Sequence, residues 1–224
     1  MSRSGIHMKI VKIWDLPTRV FHWLLALTVV FAIITAKLGG NWMDWHMRLG
    51  YAVVGLLAFR LIWGVAGGHW ARFKHWPLSW HAMRRYLRGT PLAGEVAGHS
   101  ATGSWASVAM LVTLTAQVGT GLIADDEIAS AGPLAHWVGS AASSLATGYH
   151  HEVGQLVLLV LIAMHLSAVA FYTVVKKQDL LMAMVRGYKV LPAAVTESAD
   201  DVRARVVGLG LLVVLISAAV WVLY

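Results

Sequence analysis

The sequence predicts an all-α fold in the form of an integral membrane bundle, and two observations support this prediction. Hydrophobic residues make up 58% of the 224 residues, and charged residues only 13%. The apolar residues gather into blocks close to the roughly 20 residues that a helix needs to cross about 30 Å of hydrocarbon. Lipid cannot satisfy exposed backbone polar groups, so these blocks should be helices. The five predicted spans are Pro17–Lys37, Leu49–Ala66, Trp105–Ala124, His151–Val175 and Val206–Tyr224.

The first span is expected to remain in the mature protein. It contains Arg19 and His22 and lacks a small-residue cleavage site before the second span, unlike a secretory signal peptide. The segment Met1–His7 looks unlike the rest of the chain, and translation could begin at Met8. We therefore interpret residues 1–7 as a possible cloning remnant.

Basic residues are distributed unevenly among the connections. The amino-terminal segment and the second and fourth connections are rich in Lys and Arg, whereas the first connection is flanked only by Lys37 and Arg48. The third connection, Asp125–His150, has none. Because connections rich in these residues stay in the cytoplasm, the amino terminus is predicted inside and the carboxyl terminus outside. Such loops against anionic lipid explain the net charge of +7 without a nucleic-acid partner.

The third connection is acidic, because Asp125, Asp126 and Glu127 lie there among small residues. The preferred interpretation is a solvated exterior loop. The alternative is a docking surface for a basic partner such as a soluble c-type cytochrome, since opposite charges speed encounter. The sequence leaves both open.

Cysteine is absent from the sequence. This excludes disulfides, iron–sulfur clusters held by thiolates, and haem attached through a C-x-x-C-H motif. Any haem in this chain must therefore be of the b type, held by axial ligands and packing alone.

Histidines occur within the spans or at their ends in a pattern that suits haem. On one helix, His151 and His165 would lie about 21 Å apart and within about 40° of the same face. The predicted topology brings His22 and His165 towards the cytoplasmic side, and His46 and His151 towards the exterior. Two layers of paired imidazoles suffice to ligate two haems. His150 competes with His151, because a small rotation of the helix end would exchange them.

These histidines also have other interpretations. An intramembrane histidine can be a hydrogen-bonded packing residue or a proton-relay element, as in a transporter or channel. Zinc or copper would be under-coordinated by two histidines without carboxylate or thiolate companions, whereas haem iron needs only the pair.

Three further residues suit a haem site. Gly50, one turn after His46, leaves the helix face bare, so that a flat macrocycle can approach it. Arg60 follows His46 by fourteen residues, and Arg19 precedes His22 by one turn. Both arginines are candidate partners of haem propionates, with snorkelling of the long side chain to the headgroups as the alternative.

Several of these residues fall in motifs that resemble the bacterial cytochrome b561 and nickel–iron hydrogenase b-type cytochrome family. In the fourth span His151, followed by Glu152, keeps the family's fourteen-residue spacing to His165. The resemblance covers roughly residues 9–190. The other matching segments are Trp14–Trp23, His46–Gly50, Phe59–Gly64, Arg85–Gly89 and the turn Gly98-His99-Ser100.

The resemblance implies a four-helix bundle holding two b haems, with bis-histidine ligation by His22 with His165 and by His46 with His151. The glutamate after the second ligand favours His151 over His150. Residues 9–190 would form the di-haem domain, and residues 191–224 a linker and a fifth, C-terminal transmembrane helix.

The function implied is electron transfer across a bacterial inner membrane between the quinone pool and a periplasmic redox partner, such as a c-type cytochrome. One alternative is a superoxide:quinone oxidoreductase, which the scarcity of basic residues in the outer loops disfavours because superoxide is an anion. Another is the cytochrome b anchor subunit of a hydrogenase or dehydrogenase complex. Whether the chain is itself an enzyme stays open.

Overall fold

The computed structural model describes residues 8–128, 130–192 and 195–224. The segment Met1–His7 lies outside the described residues, so its interpretation is untested. Within the described residues five apolar helical segments are long enough to cross a membrane, which confirms the predicted all-α membrane fold. The helices are α1 (Leu16–Leu38), α2 (Met43–Ala66), α3 (Trp80–Leu87), α4 (Gly94–Ala97), α5 (Ala101–Ile123), α6 (Ser140–Gly148), α7 (Gln155–Val174), α8 (Leu180–Arg186) and α9 (Val202–Leu223).

All five predicted spans fall on these helices, and the largest difference lies at the fourth. Its helical segment begins at Ser140 rather than His151, because α6 continues through a π-helical turn, Tyr149–Gly154, directly into α7. The expected exterior loop therefore ends before residue 140. The small residues of α6 suggested a loop, but alanine is also the best helix former. The hydroxyl of Ser143 donates to the carbonyl of Ile123 at 2.8 Å and ties α6 to the end of α5.

A two-stranded sheet was not predicted. Strand β1 (Met8–Lys12) pairs antiparallel with β2 (Tyr188–Pro192), with Ile10 opposite Val190. Each strand is five residues long, too short to give a clear alternating pattern, and its partner is distant in sequence.

By contacts the chain divides into two compact units. Unit 1 comprises Met1–Val20, Leu61–Ser107 and Ser167–Leu209; unit 2 comprises Phe21–Arg60, Val108–Leu166 and Gly210–Tyr224. One buried apolar cluster of unit 1 consists of Val11, Ile13, Trp14, Trp70, Ala97 and Val195.

In unit 1, Asp15 is the N-cap of α1 and is almost completely buried. Its Oδ1 accepts hydrogen bonds from the backbone N–H of Thr18 at 2.8 Å and from the indole N–H of Trp63 at 3.2 Å. Its Oδ2 accepts from the N–H of Gly68 at 3.1 Å. One carboxylate thus satisfies donors from α1, from α2 and from the connection that follows α2.

Replacing Asp15 with alanine is expected to destabilise the protein by about 3 kcal/mol, because a helix cap is lost and buried donors are left unpaired. Asp15→Asn keeps one acceptor oxygen and should cost less. Thermal unfolding of the detergent-purified protein would measure both variants. An alanine variant as stable as the wild type would show that the three donors find other partners.

A second buried carboxylate, Asp200, fastens α1 and α9 to each other in unit 1. It accepts from the N–H of Leu16 at 2.9 Å and forms two hydrogen bonds with the guanidinium of Arg205, at 3.0 and 2.8 Å. The Nζ of Lys12 lies 3.3 Å from its Oδ2. Burial acts to raise the pKa of Asp200, but the hydrogen bonds from Arg205 and the other donors outweigh it and lower that pKa to about 2.

In unit 2, four helices share one apolar core. Val29 of α1, Val53 and Leu57 of α2, Leu114 of α5 and Leu158 of α7 form its buried centre. These helices are the four predicted to carry the bundle.

The fifth spanning helix, α9, packs closely on α2 in unit 2. A Cβ placed on Gly55 would lie 2.6 Å from the Cα of Ile216, so glycine is required for this approach of the two backbones. Small residues serve the same purpose where helices meet in membranes.

Candidate functional site

The first candidate site is formed by His22 of α1 and His165 of α7. Their ring centres lie 6.4 Å apart. The Nδ1 of His22 is buried and has no hydrogen-bond partner among the described residues. Beside His22, the ring of Phe21 packs on that of Phe59 of α2 at 5.7 Å, so this level of α1 faces the C-terminal half of α2.

The second candidate site is formed by His46 of α2 and His150 of the π-helical turn. Their ring centres lie 6.0 Å apart. The Nδ1 of His46 lies 2.9 Å from the carbonyl oxygen of Ala32, and the Nδ1 of His150 lies 2.8 Å from that of Gln117. A carbonyl oxygen can only accept, so in both hydrogen bonds Nδ1 carries the proton and donates it. The lone pair of each neutral ring is therefore on Nε2.

His151 lies next to this pair but is exposed. Its ring centre is 5.8 Å from that of His150. The structure thus pairs His46 with His150, the alternative to His151 that the sequence left open. Ligation by His151, which the family resemblance favours, stays a prediction.

The π-helical turn explains why His150 occupies this position. A π-helical turn amounts to one extra residue inserted into an α-helix, while the helix on either side keeps its faces. His150 precedes His165 by fifteen residues. Because the π-helical turn takes up one extra residue, His150 lies on nearly the same helix face as a residue fourteen positions before His165 would in a regular α-helix. The hydrophobic pattern does not reveal such an insertion, because the helix that follows the turn, α7, is apolar on nearly all sides and gives no polar face to set the register.

Gln117 of α5 holds His150 at two points and was missed by the sequence analysis. Besides accepting from the ring through its carbonyl, it donates from Nε2 to the carbonyl oxygen of His150 at 2.8 Å. One turn further along α5, a Cβ on Gly121 would lie 2.8 Å from the Cε1 of His150, so glycine leaves room for the ring. A lone amide side chain within an apolar span was the available signal for Gln117.

The three other predicted site residues lie in different environments. Gly50 has open space beside it, since a Cβ placed there would meet no atom within 4 Å. The side chain of Arg60, on α2, is buried, with only 5% of the residue exposed. Arg19 belongs to unit 1, where its Nη1 donates to the carbonyl oxygen of Val185, near the end of α8, at 2.6 Å.

The donor set limits the kinds of metal that could bind. Among residues 8–128, 130–192 and 195–224, no group of three or more His, Cys, Asp or Glu side chains is arranged to hold a metal ion. The two sites offer pairs of imidazoles, and a pair can hold a metal whose remaining coordination positions are filled by a macrocycle.

Comparison with known proteins supports the resemblance. The model of the family described as prokaryotic cytochrome b561 matches residues 13–187. Two curated relatives, from Azotobacter chroococcum mcd 1 and Azotobacter vinelandii, are each named "Probable Ni/Fe-hydrogenase B-type cytochrome subunit". Each is 26% identical to this chain over 215 residues, covering 80% of this chain and 88% of the relative. No solved structure gives a significant match.

The family match extends from just before α1 to the end of α8 and includes all the candidate site histidines. It spans well over half of the chain, and it agrees with the membrane helices and with the motifs around the histidines. The chain belongs to the prokaryotic cytochrome b561 family.

Proposed function

We propose that this protein is a di-haem b-type cytochrome that transfers electrons across the inner membrane, between the quinone pool and a periplasmic redox partner. Membrane electron transfer and haem b follow from the family. The number of haems, their ligands and the partners are the proposal. The observation that carries it is the spacing of the two histidine pairs.

This spacing fits a metal held between two imidazoles. A metal–imidazole bond is about 2 Å long and the ligating nitrogen lies roughly 1 Å from its ring centre, so two axial rings have centres about 6 Å apart. The observed separations are 6.4 Å for His22 and His165 and 6.0 Å for His46 and His150. The unpartnered Nδ1 of His22 and the open space at Gly50 also suit a bound group.

The proposed ligands are His22 with His165, and His46 with His150. His151 is the alternative for the last position, favoured by the family resemblance. The hydrogen bonds from Nδ1 of His46 and His150 to backbone carbonyls would fix the ring orientations and make each Nε2 a stronger ligand. We assign these sites to a di-haem domain of residues 9–190, with residues 191–224 supplying the linker and the fifth helix.

When bound, haem b supplies one-electron exchange at its iron. The chain holds the two sites at different depths. The carbonyl oxygen of Ala32, on α1, is hydrogen-bonded to His46 and so marks the level of the second site. His22 lies ten residues before Ala32 on the same helix, so the levels of the two sites differ by about 15 Å along the axis of α1. This separation supports electron transfer from one side of the membrane towards the other. The distribution of basic residues supports a cytoplasmic amino terminus and a periplasmic carboxyl terminus.

Arg60 is proposed to bind a propionate of the haem between His22 and His165. Its buried side chain supports this role, because an arginine that reached the headgroups would be exposed. The contact between Phe21 and Phe59 also places Arg60 and His22 at similar levels of their helices. The hydrogen bond from Arg19 to the carbonyl oxygen of Val185 supports a structural role for that arginine instead.

Replacing Arg60 with leucine should lower the midpoint potential of one haem, because a positive charge near the iron stabilises the reduced form. The expected shift is on the order of 60 mV, a tenfold change in a one-electron equilibrium. A spectroscopic redox titration would measure it, with Arg60→Lys as the charge-preserving control. Two unchanged potentials would exclude this role.

The experiment that tests the proposed function is the haem content of the detergent-purified chain. We expect two b haems per polypeptide by pyridine haemochrome, and a b-type spectrum in the reduced-minus-oxidised difference. A short-chain quinol should reduce both haems. If folded protein supplied with haem bound none, a histidine-bearing transporter or channel would replace the proposal.

A second candidate function is the cytochrome b subunit of a hydrogenase or dehydrogenase complex. The names of the two curated relatives favour it. This function predicts that the isolated chain binds haem but does not turn over quinol with a soluble c-type cytochrome, and that turnover appears only with the partner subunits.

A further inference from the structure

Helix α3 lies in the connection between two spanning helices and has one covered side. The Oγ of Ser79 caps its N-terminus by accepting from the N–H of Ala82 at 3.1 Å. Ala82 is buried, and the hydroxyl of Tyr86, on the same side, is hydrogen-bonded to that of Tyr172. This side of α3 therefore packs against the protein.

The opposite side of α3 is exposed although it carries large apolar residues. Trp80 is 61% exposed and Leu87 is 69% exposed. At about 100° per residue the two lie within roughly 20° of each other around the helix, with Arg84 and Arg88 beside them. The guanidinium carbon of Arg84 is 5.4 Å from the centre of the Trp80 ring. The exposed arc of α3 thus has an apolar part and a cationic part.

Acidic residues are scarce in the connection that carries α3. Within residues 67–100 the sequence holds five Lys and Arg but a single acidic residue, Glu95. Glu95 accepts from the Nε of Arg85 at 3.1 Å and is ion-paired with it. The carboxylate is therefore engaged away from Arg84 and Arg88, which are both exposed.

We propose that the exposed arc of α3 binds the membrane surface, with Trp80 and Leu87 entering the headgroup region and Arg84 and Arg88 binding the phosphates of anionic phospholipids. Short helices with adjacent apolar and basic faces lie in the plane of the interface. The planar guanidinium matches phosphate oxygens in geometry and charge.

The position of α3 in the chain favours lipid over an acidic protein. Thirteen residues separate α3 from α2, and thirteen separate it from α5. Because α2 and α5 are both spanning helices, these short connections keep α3 close to the membrane surface. An acidic protein would match the arginines but would not by itself account for two large apolar side chains left exposed next to a bilayer.

The absence of cysteine permits a direct test, because one introduced cysteine is the only site for a thiol-specific spin label. The full chain carrying Leu87→Cys would be labelled with a nitroxide and placed in nanodiscs of phosphatidylcholine with phosphatidylglycerol. Accessibility to oxygen, which concentrates in lipid, would be compared with accessibility to a water-soluble nickel chelate. His81→Cys, nearer the polar edge of the helix, is the matched label position.

We expect the label at position 87 to report lipid, with a ratio of oxygen to nickel accessibility severalfold higher than at position 81. Adding Arg84→Gln and Arg88→Gln should move the label at position 87 towards water. The control pair Lys176→Gln and Lys177→Gln, which removes equal charge from another exposed connection, should not.

Three results would overturn the proposal. The first is a label at position 87 that reports water in nanodiscs with phosphatidylglycerol. The second is an equal effect of the arginine and lysine pairs. The third is a label shielded from both oxygen and nickel, which would mean that a protein surface covers α3. None of these measurements depends on haem, so the proposed function and this inference can fail separately.

Discussion

Replacing either His22 or His165 with alanine is expected to lower the haem content of the purified chain from two b haems to one. Each histidine would supply one of the two protein ligands that hold the same haem, and b-type haem has no covalent attachment that could retain it. Pyridine haemochrome and the reduced-minus-oxidised spectrum would measure the loss. Because both variants remove the same haem, their difference spectra should be alike.

The control for this experiment is His136→Ala, which removes an exposed histidine outside the spanning helices. It should keep two haems. Circular dichroism would show whether each variant is still helical. If the His22 and His165 variants were folded and both kept two haems, the assignment of this site would be wrong.

The second large effect concerns the adjacent histidines of the π-helical turn. We expect His150→Ala to lose the other haem and His151→Ala to keep both. Only His150 has its ring 6.0 Å from His46 and its Nδ1 hydrogen-bonded to Gln117 among the described contacts. Haem content and the low-temperature spectrum of the remaining haem would distinguish the variants.

The two variants control each other, since each removes one imidazole from neighbouring positions. Loss of a haem from His151→Ala with two haems kept in His150→Ala would show that the family spacing, rather than the observed geometry, identifies the ligand. Gln117→Leu should then also have little effect on the spectrum, whereas under the proposed ligation it should shift it.

The spanning helices could be predicted because hydropathy acts over many residues and tolerates errors at the ends. The first ends at Leu38, one residue beyond the predicted Lys37. The fourth was harder, since Ser140–Gly148 is rich in small residues that suit a helix and a loop equally. Strand β1 could not be predicted, because its partner β2 lies far away in the sequence.

The candidate site could be predicted in part, because the order and direction of the spanning helices follow from the sequence. His22 and His165 were paired by topology alone, and the structure brings their rings together. The partner of His46 depends on a single inserted residue, which changes a helix face by about 100° without changing composition. The carbonyl of Ala32 could not be foreseen, because any residue type offers a backbone oxygen.

The residues beyond the family match take part in the fold of this protein. The match ends at residue 187, yet Val190 pairs with the first strand and Asp200 accepts a hydrogen bond from the first residue of α1. Ile216 packs backbone to backbone on the helix that carries His46. The family match and the packed structure therefore end at different points along this chain. A shortened protein designed from the shared region alone would keep every proposed ligand and lose contacts that hold the ligand-bearing helices in place.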